Sequence, residues 1–150
     1  MSKIFWSFLF TIVSSVKLLS ADTTFIKPVD PKLKVLKQQV INDLLSASVS
    51  DAGVINLAEK MKDDGSWGDI DYTDKTRGGW TVADHLTRLN NMVIIYKRPG
   101  SKWENDRKLE EKIISGLNFW LKNDFICPNW WYPEIGVPKV MGANYAVDRR

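Results

Sequence analysis

Residues 30–47 read DPKLKVLKQQVINDLLSA, and this stretch decides the fold class because its apolar residues recur with helical spacing. Asp30 can cap a helix whose first position is Pro31, where the missing N–H costs nothing. Its apolar residues follow one another mostly at spacings of three and four, and lysines occupy the opposite face. The apolar residues are Leu33, Leu36, Val40, Ile41, Leu44 and Leu45. The pattern predicts a helix to about Ala47 that is buried along one side.

Outward from this stretch, the chain predicts four more helices joined by turns. The second runs over residues 50–61 behind a cap at Ser50 or Asp51, and the third is capped by Thr81 and ends before residue 99. The fourth begins near Ser101 or Glu104 and stops around residues 123–124, and residues 133–138 can start a fifth. No long stretch alternates apolar and polar residues with the period of two that is typical of a strand, so we predict an all-α architecture of antiparallel helical hairpins.

The N-terminus has the features of an export signal. Lys3 supplies a positive start, residues 4–13 are apolar but too short for a stable membrane anchor, and small residues follow. We therefore predict a signal peptide over residues 1–21, cleaved between Ser15 and Asp22, and one domain over residues 22–150. A membrane-anchored N-terminus or a buried apolar helix is the alternative.

Composition excludes several classes of protein. The hydrophobic content of 44% excludes a disordered chain. Removal of residues 1–21 leaves 19 basic against 18 acidic residues, without a basic stripe, so nucleic acid is not an expected partner, nor is a membrane once the signal is removed. Cys127 is the single cysteine, so an exported form has no internal disulfide.

Few residues could carry chemistry. His85, the single histidine, stands without a recognisable partner, which favours a structural role over a general base, and Cys127 is interpreted as a small buried residue. Neighbouring acids, Asp69 with Asp71 and Glu110 with Glu111, are typical of solvated faces. Neither a cofactor nor a metal site is predicted, since no ligand spacing or glycine-rich phosphate loop is present.

Tryptophan is the unusual residue, with six of seven copies between Trp67 and Trp131. Trp67 lies in the turn Asp63–Asp69, where a plug over helix ends is favoured over a ligand contact. Trp130 and Trp131 are adjacent at a helix start and point in different directions, so both cannot pack comfortably into one core. The pair is either a core aromatic cluster or an exposed platform for a sugar ring, beside the amide of Asn129.

The order Asn129-Trp130-Trp131, Glu134-Ile135-Gly136 and Pro138 resembles a signature of polysaccharide lyase family 8, which includes chondroitin AC, hyaluronate and xanthan lyases. Residues 64–67, Trp80 and residues 85–86 have the order and spacing of its chondroitin AC branch. The resemblance covers residues 33–142. It implies a partial α/α toroid without the rest of the toroid or the C-terminal β-sandwich domains.

The resemblance also implies a function, the β-elimination of uronic-acid-containing, glycosaminoglycan-like polysaccharides in a secreted or periplasmic setting. A base removes the proton at C5 and a tyrosine protonates the departing oxygen. Asn129, Trp130 and Trp131 map onto the family's substrate cleft. The family's catalytic Asn, His, Tyr and Arg follow the tryptophan motif, whereas this sequence ends 19 residues after Trp131, so no catalytic residue is assigned.

Three hypotheses follow from these residues. The first is an inactive N-terminal fragment of a lyase that retains part of the glycan cleft; the second is a self-standing helical glycan-binding module; the third is a structural helical domain. Residues 144–150 lack the apolar pattern of a buried helix, which leads us to expect a truncated or frameshifted gene.

Overall fold

A computed structural model describes residues 30–148 of the chain. The predicted signal peptide, residues 1–21, lies outside the described residues. The elements in chain order are α1 (Pro31–Leu45), α2 (Asp51–Glu59), α3 (Ala83–Lys97), α4 (Arg107–Asn123), a π-helical turn (Tyr132–Gly136) and α5 (Val137–Asp148). Extended pairing in this range is limited to one bridge between Met61 and Trp67. The prediction of an all-α chain is confirmed.

Helix α3 is the centre of the fold and packs against α1, α2, α4 and α5. Near its start, His85 Nε2 lies 2.9 Å from the carbonyl oxygen of Gly116, and near its end the Tyr96 carbonyl accepts a 2.9 Å hydrogen bond from Asn105 N. Helices α3 and α4 are therefore antiparallel, as predicted. Gly116 makes their contact close, because a Cβ there would lie 2.6 Å from a methyl group of Leu89.

Local capping explains where the helices begin. Ser50 caps α2, its Oγ accepting from Gly53 N at 3.3 Å, as the sequence predicted. The cap of α4 is Asp106, which accepts from Leu109 N, so the predicted starts at Ser101 or Glu104 were several residues too early. The left-handed Asn105, at φ 56°, separates that earlier turn from the helix.

Thr81 does not cap α3, which corrects a second prediction. The residue before α3 is Val82, which makes no side-chain capping bond. The Thr81 hydroxyl instead donates to Asp74 Oδ2 at 2.9 Å, and Thr81 N donates to the same oxygen at 3.0 Å. The hydroxyl is therefore used to close the preceding loop.

Helix α1 begins at Pro31 as predicted, ends at Leu45, two residues before the predicted Ala47, and is buried only near its C-terminal end. Ile41 and Leu45 are buried, whereas Leu33, Leu36 and Val40 are 57%, 55% and 45% exposed. The prediction of burial along the whole apolar side is therefore wrong for residues 31–40. Within residues 30–148, α1 packs on α3 and α5, which do not cover its first two turns.

The turn around Trp67 is structural, which confirms the interpretation of this residue as a plug. Trp67 is 1% exposed and its indole N–H donates to the Leu57 carbonyl at 2.8 Å. Gly65 has φ +88°, and a Cβ there would lie 2.4 Å from the carbonyl oxygen of Ser115. Only glycine allows the turn to sit directly on the backbone of α4.

Candidate functional site

Trp130 and Trp131 lie on the surface, with 59% and 44% of their areas exposed. The core cluster contains other aromatic residues, including Trp67, Trp80 and Trp120. The interpretation of the adjacent pair as part of a buried core is therefore wrong. Two large apolar rings next to each other on the surface form what we call the tryptophan platform, defined as Trp130 and Trp131.

A π-helical turn sets the position of the second ring. Val137 N donates to the Tyr132 carbonyl five residues back, and Pro138, which has no N–H, cannot extend an ordinary helical ladder through this point. Five-residue spacing brings Gly136 beneath Trp131, and a Cβ on this glycine would lie 2.6 Å from Cζ3 of the indole. The glycine of the motif is therefore needed so that the Trp131 ring can rest against the backbone.

Tyr132 ties the platform to the core. Its ring meets that of Trp131 edge to face, with centroids 5.3 Å apart, and meets that of the buried Trp80 at 5.2 Å. The Tyr132 hydroxyl oxygen also accepts a 3.2 Å hydrogen bond from Trp80 N. These contacts hold the turn and leave the outer faces of the platform in solvent.

The side-chain amide of Asn129 uses some of its hydrogen-bonding groups within the protein. Its Nδ2 donates to the Arg77 carbonyl at 2.7 Å, and its Oδ1 accepts from Trp131 N at 3.1 Å. An amide has two N–H donors and two acceptor lone pairs, so one donor and one lone pair are left by these bonds. Asn129 therefore positions the platform as well as offering polar groups beside it.

The loop of residues 74–80 lies along the segment of residues 126–132, an arrangement that sequence reasoning did not foresee. Four contacts join the two segments, and they follow the same order along both. Lys75 Nζ donates to the Ile126 carbonyl at 3.3 Å, and Cys127 Sγ lies 3.4 Å from the Thr76 carbonyl. Further along, Asn129 bonds to the Arg77 carbonyl and Trp80 N bonds to the Tyr132 hydroxyl. Lys75 is thereby brought to Ile126, and Arg77 is brought to Asn129, the residue before the platform. The two segments are about fifty residues apart in the chain, and no local pattern signals their pairing.

Asp74 holds that loop in shape. Its carboxylate accepts from the backbone N–H and hydroxyl groups of both Thr76 and Thr81. The backbone and hydroxyl donors of the two threonines lower the pKa of Asp74 to about 2. Its charge is therefore engaged in local structure.

His85 is structural, as its isolation in the sequence suggested. It is fully buried, and since the Gly116 carbonyl can only accept, His85 Nε2 carries the proton and Nδ1 accepts from the Tyr72 hydroxyl at 2.9 Å. Tyr72 in turn accepts from Trp67 N at 3.0 Å. Burial lowers the pKa of His85 to about 4, outweighing the raising effect of the Gly116 carbonyl.

The remaining candidates for chemistry are also accounted for. Cys127 is 3% exposed, as expected for a small buried residue. Asp69 forms a bidentate ion pair with Arg88 at 2.7 and 2.8 Å, while Asp71 accepts from Thr73, so these two acids serve separate partners. Within residues 30–148 no group of His, Cys, Asp and Glu side chains is arranged to hold a metal ion. None of the helices in this range combines the length and apolar character needed to cross a membrane.

Comparisons with known proteins agree with this architecture. The family model described as polysaccharide lyase family 8, N terminal alpha-helical domain, matches residues 26–146. A chondroitinase-AC of Pedobacter heparinus is 31% identical over 90 residues, which is 57% of this chain and 13% of that protein. A solved chondroitinase AC lyase, studied with oligosaccharide complexes, matches with a TM-score of 0.67 and 26% identity over 77% of this chain and 17% of that one. The fold class predicted from the resemblance, an all-α partial toroid, is confirmed.

Proposed function

The chain belongs to polysaccharide lyase family 8, and we propose that it is the N-terminal part of a secreted or periplasmic lyase that cleaves uronic-acid-containing glycans, such as chondroitin or hyaluronan, by β-elimination. The chain spans 13% of the curated chondroitinase-AC it matches. The predicted signal peptide over residues 1–21 supports export, and N-terminal sequencing of the protein recovered outside the cytoplasm tests it.

The exposed tryptophan platform carries the proposal. A pyranose ring has an apolar face that can cover an indole, and the rim of that ring presents hydroxyl and carboxylate groups. The free donor and acceptor of Asn129 lie directly before Trp130, within reach of such groups. Asn129, Trp130 and Trp131 are the proposed substrate-binding residues.

By itself the chain is proposed to bind glycan without cleaving it. β-Elimination needs a base to take the C5 proton and an acid to protonate the leaving oxygen. The single histidine is fully buried, with both ring nitrogens engaged by Tyr72 and Gly116. The Tyr132 hydroxyl accepts from Trp80 N and its ring packs on Trp80 and Trp131, so this tyrosine has a structural role in the turn.

A self-standing helical glycan-binding module is a second candidate function. Its support is that residues 74–80, Tyr132 and Gly136, all within residues 30–148, hold the platform in place. The third interpretation, a purely structural helical domain, predicts no glycan affinity. Binding by the isolated chain separates the structural interpretation from the other two.

Calorimetric titration with chondroitin, hyaluronan and uncharged dextran tests the proposal. If a sugar covers about 70 Å² of the exposed Trp130 indole at about 25 cal/mol per Å², Trp130→Ala loses about 1.8 kcal/mol, a roughly twentyfold weaker Kd. Leu121→Ala is the matched control, since Leu121 is 64% exposed on α4 and lies outside the platform. Equal affinity of the two variants, or no binding by the unaltered chain, contradicts the proposal. Ultraviolet absorbance from an unsaturated uronate would contradict the inactivity of the chain alone.

A further inference from the structure

The loop of residues 74–80 holds the backbone of one basic residue, Arg77, next to the residue that precedes the platform. The Arg77 carbonyl is held by Asn129 at 2.7 Å, and Asn129 is followed directly by Trp130. Arg77 is exposed, and within residues 30–148 its guanidinium takes part in none of the ion pairs, which involve Arg88, Arg98 and Arg107. The backbone of Arg77 is thus fixed while its charged end remains in solvent.

The neighbouring charged groups are already engaged. Lys75 Nζ donates to the Ile126 carbonyl at 3.3 Å, and the Asp74 carboxylate accepts from two threonines. Arg77 is therefore the charged group of this loop whose side chain forms no hydrogen bond or ion pair within residues 30–148, and it can take an anionic partner with all its donors. A guanidinium presents several N–H donors in a planar fork, which matches the two oxygens of a carboxylate or a sulfate ester.

The tip of the loop leaves room for a ligand. A Cβ at Gly78 or at Gly79 would meet nothing within 4 Å, and Gly79 has φ +68°, which glycine adopts without strain. The two glycines after Arg77 therefore leave open space at the tip of the loop.

We propose that Arg77 is a specificity-determining residue, which binds a carboxylate or sulfate group of a glycan seated on Trp130 and Trp131. This inference rests on the proposed glycan-binding function. It assigns the platform the recognition of the apolar ring face and assigns Arg77 the recognition of charge. The chain should therefore prefer anionic over neutral polysaccharides of the same backbone.

Calorimetric titration of the whole 150-residue chain tests the assignment with three probes, namely hyaluronan, chondroitin sulfate, and chondroitin that has been desulfated and carboxyl-reduced. Arg77→Gln is expected to weaken binding of an anionic probe about tenfold or more and to leave binding of the neutral probe unchanged. Arg77→Lys keeps the charge but loses the fork, and should restore part of the affinity.

The control variant is Arg107→Gln, which removes an exposed arginine at the first residue of α4. This position is about 24 Å along the helix axis from Asn123, the last residue of the helix, after which the chain continues to the platform. Loss with both anionic probes identifies the carboxylate as the partner, and loss with chondroitin sulfate alone identifies the sulfate. An equal loss with the neutral probe, or no loss while Trp130→Ala still weakens binding, overturns the role of Arg77 and leaves the proposed function intact. Failure of the unaltered chain to bind any probe overturns the proposed function, and the inference with it.

Discussion

Gly136→Ala tests whether the position of the Trp131 ring matters for binding. The added methyl group would lie 2.6, 3.2 and 3.3 Å from three carbon atoms of the indole. Carbon atoms in contact are about 3.5–4.0 Å apart, so the ring must retreat by roughly 1 Å. Trp131 is 44% exposed, so the ring can move toward solvent and the backbone can stay in place.

The expected change in stability is small because two effects oppose each other. A tryptophan displaced from its preferred rotamer costs about 0.5–1.5 kcal/mol, and alanine in place of glycine in a helical segment contributes about 1 kcal/mol. Glycan affinity should fall more visibly, since the geometric part of stacking is worth about 0.5–1.5 kcal/mol, or a roughly two- to tenfold weaker Kd.

The assay combines urea unfolding, calorimetric titration with chondroitin, and the indole N–H resonances in a two-dimensional NMR spectrum. Gly142→Ala is the matched control, because it lies on α5 and a Cβ there would meet nothing within 4 Å. A Trp131 indole resonance that does not move would refute the packing of Trp131 on Gly136. A resonance that moves while both variants bind alike would refute the importance of ring position for binding.

Three further predictions concern the scaffold. Gly65→Ala should destabilise the fold by about 3 kcal/mol or more in urea unfolding, because its Cβ would lie 2.4 Å from the Ser115 carbonyl oxygen. Gly79→Ala, which is also at positive φ but in open space, should cost only about 1–2 kcal/mol, and equal losses for the two variants would contradict the close contact at Gly65. Because the pKa of His85 is lowered from 6.5 to about 4, the unfolded state takes up a proton first as the pH falls, and the free energy of unfolding should decrease by up to about 3 kcal/mol between pH 6.5 and pH 4. Comparison with a His85→Gln variant isolates this contribution, and a contribution that appears above pH 6.5 would contradict the burial of the histidine. Leu36→Lys should reduce self-association in sedimentation experiments, because the first half of α1 exposes an apolar face, and unchanged association would place the sticky surface elsewhere.

Helix existence and several helix ends were predictable because their causes are local. The Asp30-Pro31 start, the Ser50 cap and the stop before Pro99 each depend on residues within one turn of the boundary. The predictions for the Thr81 cap and for the start of α4 were wrong because nearby residues changed which side chain caps each helix. Asp74 takes the Thr81 hydroxyl, and Asp106 offers a better cap than the earlier candidates.

The extent of burial could not be read from periodicity. An apolar stripe shows which face of α1 would be buried, but the packing of α3 and α5 decides how much of it is. Leu36 and Ile41 belong to the same predicted stripe, yet the first is 55% exposed and the second 1% exposed. Burial depends on the length of the neighbouring elements, which the stripe itself does not contain.

By itself the sequence determined the helical class, the structural character of His85 and Trp67, and the motif that contains Asn129, Trp130 and Trp131, because spacing and residue chemistry act over short distances along the chain. The residue pattern left the tryptophan pair open between core and surface, the family resemblance placed it in a cleft, and the tertiary structure shows it exposed. Tertiary structure alone decided that Arg77 lies beside Asn129. The bond that joins Arg77 to Asn129 spans 52 residues, and such a pairing follows from how α3, α4 and their connecting segments pack. No local rule relates two surface segments so far apart, and for that reason the charged part of the candidate site emerged only from the fold.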